Sequence, residues 1–185
     1  MRVSREDAQE NRQRVVETAS RLFREHGYDG IGIAGLMKAS GLTNGAFYKQ
    51  FASKDALIAE ATAHALSENL DRWRNSIQST PNSAPGESVA KWYLTKTHEE
   101  KRATGCTFAA LGGDAPRQGK EVRQAFDKGL RETLTLLDEE AGGKESASSK
   151  AALRQLSLMV GALVLSRAAE DPDLKTAFLE AAAEE

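Results

Sequence analysis

Residues 41–51 read Gly41-Leu42-Thr43-Asn44-Gly45-Ala46-Phe47-Tyr48-Lys49-Gln50-Phe51. Ser40 to Thr43 is turn chemistry, with a glycine where the chain must reverse. Before the turn, Ile33 to Ala39 predicts one short helix, preceded by Ile31 and Gly32. After it, Thr43 can cap a second short helix, Asn44 to Gln50. Two short helices joined by a glycine-containing turn have the sequence form of a helix-turn-helix.

The surrounding chain reads as helix on both sides. A first helix is expected to start near Ser4, with Asp7 in a capping-box-like start, and to bury Val15, Ala19, Leu22 and Phe23. Gly27, after His26, supplies its C-terminal cap. Ser53 caps a long helix over 53–78, with Asp55 in its first turn and a stripe from Leu57 and Ile58 to Trp73 and Ile77. The stretch Ser79-Thr80-Pro81-Asn82-Ser83-Ala84-Pro85-Gly86 is the clearest loop. Further helices are expected through Val89 to Leu94, from Cys106 to Leu111, and from Asp114-Ala115-Pro116 through Leu137. Gly142-Gly143 and the serines at 146, 148 and 149 form another loop. Leu153–Ala169 is apolar around its whole circumference, so one side is expected to meet a second subunit. Pro172 separates it from a last helix, Leu174–Ala182. No alternating strand pattern occurs, and the fold class is all-α.

Composition narrows the function classes. The 185 residues suit one or two small domains. With 25 Lys+Arg and 27 Asp+Glu, the net charge of −2 excludes a uniformly basic wrapper of nucleic acid. A single cysteine excludes an internal disulfide framework and a Cys-rich zinc site. His26, His64 and His98 lack metal-ligand spacing, so no metal and no cofactor is expected. The start MRVSREDAQENR has no signal-peptide core, and the longest apolar run, Leu158 to Leu165, is too short for a bilayer. A soluble cytoplasmic protein without a membrane partner is the expectation.

The residues His26-Gly27-Tyr28, Leu36, Gly41-Leu42-Thr43, Gly45-Ala46-Phe47-Tyr48, Phe51, Ser53-Lys54 and Leu57-Ile58 together resemble the N-terminal domain of TetR/AcrR-family transcriptional regulators. The resemblance covers roughly residues 10 to 60. It implies a helix-turn-helix DNA-binding domain at 1–52 and a helical ligand-binding and dimerisation domain at 53–185. It also implies a repressor that binds a palindromic double-stranded DNA operator as a homodimer and responds to a small-molecule effector. Three positions depart from the family pattern: Gly32 replaces the usual capping Thr or Ser, Ala34 a polar phosphate partner, and Gly35 sits inside a helix. They weaken the contribution of the second helix to the DNA backbone.

The expected DNA contacts are Thr43, Asn44, Gly45, Phe47, Tyr48, Lys49 and Lys54. A helix entering the major groove needs a small N-terminus, which Thr43-Asn44-Gly45 supplies; Thr43 and Asn44 can bond phosphate or base edges. Tyr48 and Lys49 follow one turn later. Lys54 opens the long helix, whose N-terminus attracts phosphate. Phe51 is read as core, and one or two of Arg2, Arg5, Arg12 and Arg14 can reach a phosphate. Trp92, Tyr93, His98, Cys106, Phe108, Phe126 and Met159 are the effector-pocket candidates. Leu156, Met159, Val160, Leu163, Val164, Leu174 and Phe178 are the dimer-interface candidates. The segment Gly105-Cys106-Thr107-Phe108 also resembles the thiol-bearing helix start of a subset of the family, which gives a redox- or electrophile-sensing repressor as the alternative. A helical enzyme using Cys106 and His98 lacks an orienting third group and an oxyanion loop, and is not expected. A protein-binding helical scaffold is the other rival.

Overall fold

The structure, a computed structural model, describes residues 5–80, 85–140 and 149–184. Ser4, Arg2, Gly142-Gly143, the serines at 146 and 148, and loop residues 81–84 lie outside the described residues. The elements run α1 (Arg5–His26), α2 (Ile33–Ala39), a 3-10 helix (Asn44–Lys49), α3 (Lys54–Gln78), α4 (Pro85–Tyr93), α5 (Lys96–Glu100), α6 (Thr107–Leu111), α7 (Lys120–Glu140), α8 (Lys150–Ala168) and α9 (Pro172–Ala183). The chain is all-α: no strand occurs among the described residues.

The N-terminal unit is built on the expected stripe. Val15, Ala19 and Phe23 are buried at intervals of four along α1, with Val16 beside them. Gly27 then turns left-handed at φ +78°, and its N–H donates to the Phe23 carbonyl at 2.8 Å. That turn folds Tyr28 back under Phe23, ring centroids 5.5 Å apart. Gly41 repeats the device after α2, at φ +73°. The Gly41 N–H reaches the Lys38 carbonyl and the Leu42 N–H reaches the Met37 carbonyl, the paired bonds of a Schellman cap.

The second helix of the motif differs from expectation in kind. It is a 3-10 helix over Asn44–Lys49, with Gln50 as its cap. Thr43 stands at the N-cap, but its side chain makes no capping bond. What holds this segment is burial of Phe47 and Phe51, whose tilted rings lie 5.5 Å apart, worth about 1.5–3 kcal/mol for each ring. The Arg12 guanidinium covers the Phe51 ring at 4.7 Å and ion-pairs with Glu60 on α3.

α3 starts as expected: the Ser53 side chain accepts the Ala56 N–H at 3.0 Å. Leu57, Ile58 and Ala61 complete the N-terminal core, while Leu66, Leu70, Trp73 and Ile77 enter the C-terminal one. α3 packs along α7, where buried Gly129 lets the helices approach: a Cβ there would stand 3.0 Å from Leu66. The expected helix start at Asp114-Ala115-Pro116 is corrected. Ala115–Arg117 is a separate 3-10 turn, and α7 begins only at Lys120, after Gly119. α8 and α9 form a hairpin in which the Ser166 hydroxyl donates to the Lys175 carbonyl at 3.1 Å. α8 is also apolar over more than the eight-residue run, and by length and composition alone it resembles a membrane-crossing helix as much as a core helix. In this fold it packs on α9, α6 and α7.

Gly41 and Gly45 separate two reasons for a glycine. Gly41→Ala is strained by its positive φ and is expected to cost about 1–2 kcal/mol in denaturant unfolding. Gly45 has no positive φ and an added Cβ would meet nothing within 4 Å, so Gly45→Ala is expected to leave unfolding unchanged.

Candidate nucleic-acid interface

Thr43, Asn44, Gly45, Tyr48 and Lys49 all lie exposed on the 3-10 helix and its approach, Tyr48 at 69%. None of the polar side chains among them is tied to another described residue by a hydrogen bond or ion pair. The Tyr48 ring meets Phe47 edge to face, centroids 5.1 Å apart. The result is a face with free donors on a buried aromatic footing.

Two of the expected contacts read differently in three dimensions. Phe47 is fully buried, so its side chain is the footing and not a DNA contact. Lys54 is half-buried, and its ammonium donates to the Tyr28 carbonyl at 2.8 Å. That bond ties the start of α3 to the α1–α2 loop, a role that needs the tertiary fold to be seen. The Tyr28 hydroxyl makes a second tie, 2.8 Å from the Thr62 hydroxyl on α3. Burial pushes the Tyr28 phenol up to about 12, so it stays protonated at any working pH. Of the arginines, Arg5 and Arg14 are exposed, whereas Arg12 is engaged by Glu60 and Phe51.

The effector-pocket candidates fall into two groups. Trp92, Tyr93 and His98 are in mutual ring contact, with Trp92 stacked on His98 at 4.9 Å. Phe108 and Phe126 pair at 6.1 Å, and Met159 is buried in the same core. Cys106 joins the first group through its backbone. Its N–H donates to His98 Nε2 at 2.9 Å, while His98 Nδ1 lies 2.7 Å from the Tyr93 carbonyl. A carbonyl can only accept, so Nδ1 carries the proton and Nε2 is the acceptor. Burial holds the His98 pKa down at about 4, helped by Arg167 and Arg72 and opposed by the Tyr93 bond. His98 is therefore neutral and fully used by two backbone groups. It does not face the Cys106 thiol as a base. The thiol is buried and accepts from Asn69 Nδ2 at 3.4 Å.

Sequence reading missed three arginines around this turn. Arg24, buried at the end of α1, ion-pairs with Glu68 at 2.9 Å and reaches the Gly105 carbonyl at 3.4 Å. Arg72 on α3 donates to the carbonyls of Thr104 and Gly105 and to Asn69. Arg167 on α8 donates to the carbonyls of His98 and Glu99 at 2.9 and 3.0 Å. The one available signal was spacing: Ser20 and Arg24 sit four apart on the buried side of α1, and Arg24 Nη2 bonds the Ser20 hydroxyl.

The dimer-interface candidates divide by burial. Leu156, Met159 and Leu163 face their own chain's core and are corrected out of an intersubunit surface. Val160 and Phe178 are half-buried, and Val164 and Leu174 are exposed. Leu153, Leu158 and Leu165, not singled out from the sequence, are also exposed on α8.

His98 makes stability pH-dependent with a definite sign. Above about pH 6.5 the histidine is neutral both folded and unfolded; between 6.5 and 4 only the unfolded chain takes up the proton, so stability falls on acidification. From pH 7 to pH 5 this removes roughly 2 kcal/mol. Urea unfolding at the two pH values should show the loss in the wild type and a smaller one in His98→Gln.

Residues 15–61 match the family model described as bacterial regulatory proteins, tetR family. The repressor NemR of Escherichia coli is 24% identical over 132 residues, which are 70% of this chain and 66% of NemR. The regulator YerO of Bacillus subtilis is 24% identical over 124 residues, 67% of this chain and 43% of YerO. The regulator AcrR of Shigella flexneri is 37% identical over 59 residues, 32% of this chain and 27% of AcrR. The chain thus matches less than two thirds of the length of these relatives. Among solved structures, the reduced form of E. coli NemR superposes with a TM-score of 0.73 at 20% identity, covering 94% of this chain and 95% of that one. A TetR-family regulator from Cytophaga hutchinsonii superposes at 0.76 with 17% identity, covering 100% and 96%. With the motif at 41–51 seated on its Phe47–Phe51 footing, residues 15–61 match the N-terminal domain of TetR-family transcriptional regulators, and the fold as a whole is the one those solved regulators share.

Proposed function

We propose that this chain is a ligand-responsive repressor that binds a palindromic operator as a homodimer. The reading divides the chain into a DNA-binding unit, 1–52, and an effector and dimerisation unit, 53–185. The observation that carries it is the set of unengaged donors on one exposed edge: Thr43, Asn44, Tyr48 and Lys49. Asn44 has the chemistry to read an adenine edge, and Tyr48 and Lys49 to hold phosphates. Gly45 needs neither its φ nor its lack of a Cβ inside the free protein, which suits close approach of a DNA backbone. Lys54 contributes by fixing α3 to Tyr28, with its remaining donors free for phosphate.

The dimer would form through α8 and α9, a four-helix bundle of the two subunits. Leu158 and Leu165 lie seven apart on the exposed side of α8, with Leu174 exposed at 48% on α9. Exposed leucines at this density favour a covered surface. A two-fold axis there would set two recognition helices about 34–36 Å apart, or a multiple of the helical turn, for a palindrome. An effector in the C-terminal unit would act by tilting α3, which carries Leu57 and Ile58 in one core and Asn69, Arg72 and Trp73 beside the Cys106 cluster. It needs only unequal affinity for the two orientations. The Asn69–thiol contact favours a second reading, in which Cys106 itself is the sensor.

Gel shifts against a cognate operator test the interface. Tyr48→Phe should weaken binding at all sequences, and Lys49→Ala should in addition lower the salt slope by about 1. Unchanged affinity in both would sink the assignment. Leu158→Glu with Leu165→Glu should yield a folded monomer by sedimentation, with operator affinity lost. For the second reading, an electrophile should release DNA from the wild type and not from Cys106→Ser.

A further inference from the structure

The turn over 98–106 is rich in hydrogen-bond donors and poor in acceptors. Three guanidinium groups close on it from three helices. Arg24 and Arg72 share the Gly105 carbonyl, at 3.4 and 3.5 Å. Arg167 approaches from the other side: a Cβ on Gly105 would stand 3.0 Å from its Nη2. Glu68 pairs with Arg24, and Glu99 is taken by Lys175 at 3.3 Å. Arg72 and Arg167 are held by backbone carbonyls and by Asn69, with no carboxylate of their own among the described residues.

Three guanidinium donors here are buried without a hydrogen-bond partner, Arg24 Nε, Arg72 Nε and Arg167 Nη1, and the buried Tyr93 hydroxyl has only the Cys106 thiol beside it. Arg24 is 3% exposed and Tyr93 fully buried, its hydroxyl beside Cys106. Each unpaired buried donor is costly, and natural folds keep such groups where water, an ion or a ligand completes them. Glu68 and Glu99 offset part of the charge on Arg72 and Arg167, but the unpaired donors still lack acceptors, and an anionic ligand supplies both acceptors and charge. Lys101, Arg102 and Thr104 of the same turn are exposed, so two further cations flank the buried cluster in sequence.

From this juxtaposition we infer that Arg72 and Arg167, with Arg24 and Tyr93, form a binding site for the anionic oxygen headgroup of the effector, a carboxylate or a phosphoryl group. Guanidinium forks match both chemistries bidentately. Because Arg24 belongs to α1 and Arg72 to α3, an anion drawn into the cluster pulls on both helices that frame the DNA-binding unit. That regulatory consequence rests on the proposed effector response; occupancy of the site does not.

The test separates the two. Thermal unfolding of the full chain is followed at pH 7.5 and constant ionic strength in sodium chloride, sodium phosphate and sodium acetate. An oxyanion is expected to raise the midpoint over chloride by roughly 2–4 °C at concentrations several times its Kd. Acetate and phosphate both acting indicates a carboxylate-compatible site; phosphate alone indicates a phosphoryl site. The increment should be lost in Arg167→Gln and in Arg72→Gln, and kept in Lys49→Ala, which removes a phosphate contact of the DNA face. A midpoint no higher in either oxyanion than in chloride, or an increment undiminished in both arginine variants, overturns the site. Should the arginine variants not fold, Cys106→Asp and Cys106→Asn decide: a cluster short of an anion makes the Asp variant the more stable of the two at pH 7.5, and the reverse order overturns the proposal. Anion binding that leaves operator affinity unchanged in gel shifts keeps the site and overturns the effector response.

Discussion

Helix α3 has to satisfy two cores at once, and the rest of the molecule is arranged around that constraint. Its first two turns close the N-terminal unit through Leu57, Ile58 and Ala61; its later turns enter the C-terminal core through Leu70 and Trp73. Three polar ties fix its start to the N-terminal unit: Lys54 to the Tyr28 carbonyl, Thr62 to the Tyr28 hydroxyl, and Glu60 to Arg12. Glu68 and Arg72 then carry it to the turn over 98–106. A helix interior is stiff, so displacement at Arg72 is felt at Lys54. One helix thus contributes side chains to both cores.

Charge is distributed with the same logic. Residues 1–56 hold 9 Lys+Arg and 7 Asp+Glu, a surplus of +2, while 57–185 hold 16 and 20, a deficit of −4. The near-neutral total conceals a mildly basic N-terminal part. Even that small surplus is partly spent internally, since Arg12, Arg24 and Lys54 bond to the protein itself. Few cations of this part are left free of the protein itself, so in the proposed function hydrogen-bond donors such as Thr43 and Asn44 carry more of the weight than charge does.

The neighbourhood of Cys106 shows how burial sets chemistry. His98 is eight residues before the thiol, and the sequence offers no third group to make the two a catalytic pair. The two ring nitrogens of His98 are consumed by the Tyr93 carbonyl and the Cys106 N–H, and desolvation keeps it uncharged. It fixes the geometry of the turn and does no proton transfer. The cationic surroundings of the thiol come from α1, α3 and α8, which are distant in sequence.

The all-α class, the helix-turn-helix, the glycine caps at Gly27 and Gly41, the Ser53 cap and the long helix were legible because they depend on local periodicity and on short-range backbone geometry. The exposed donors of the 41–51 stretch were legible for the same reason. Tertiary structure alone decided that Phe47 is footing, that Lys54 is a tie, and that Leu156, Met159 and Leu163 face inward while Leu158 and Leu165 face out. α8 is apolar on every side, so its hydrophobic pattern carries no directional information, and only the packing of α6, α7 and α9 chooses its buried face. The arginine cluster was invisible for a related reason: Arg24, Arg72 and Arg167 are 48 and 95 residues apart, and each reads locally as an ordinary helix-surface charge. Local sequence fixes which groups a helix can offer; three-dimensional packing determines which of them meet, and therefore which are left with charge to share.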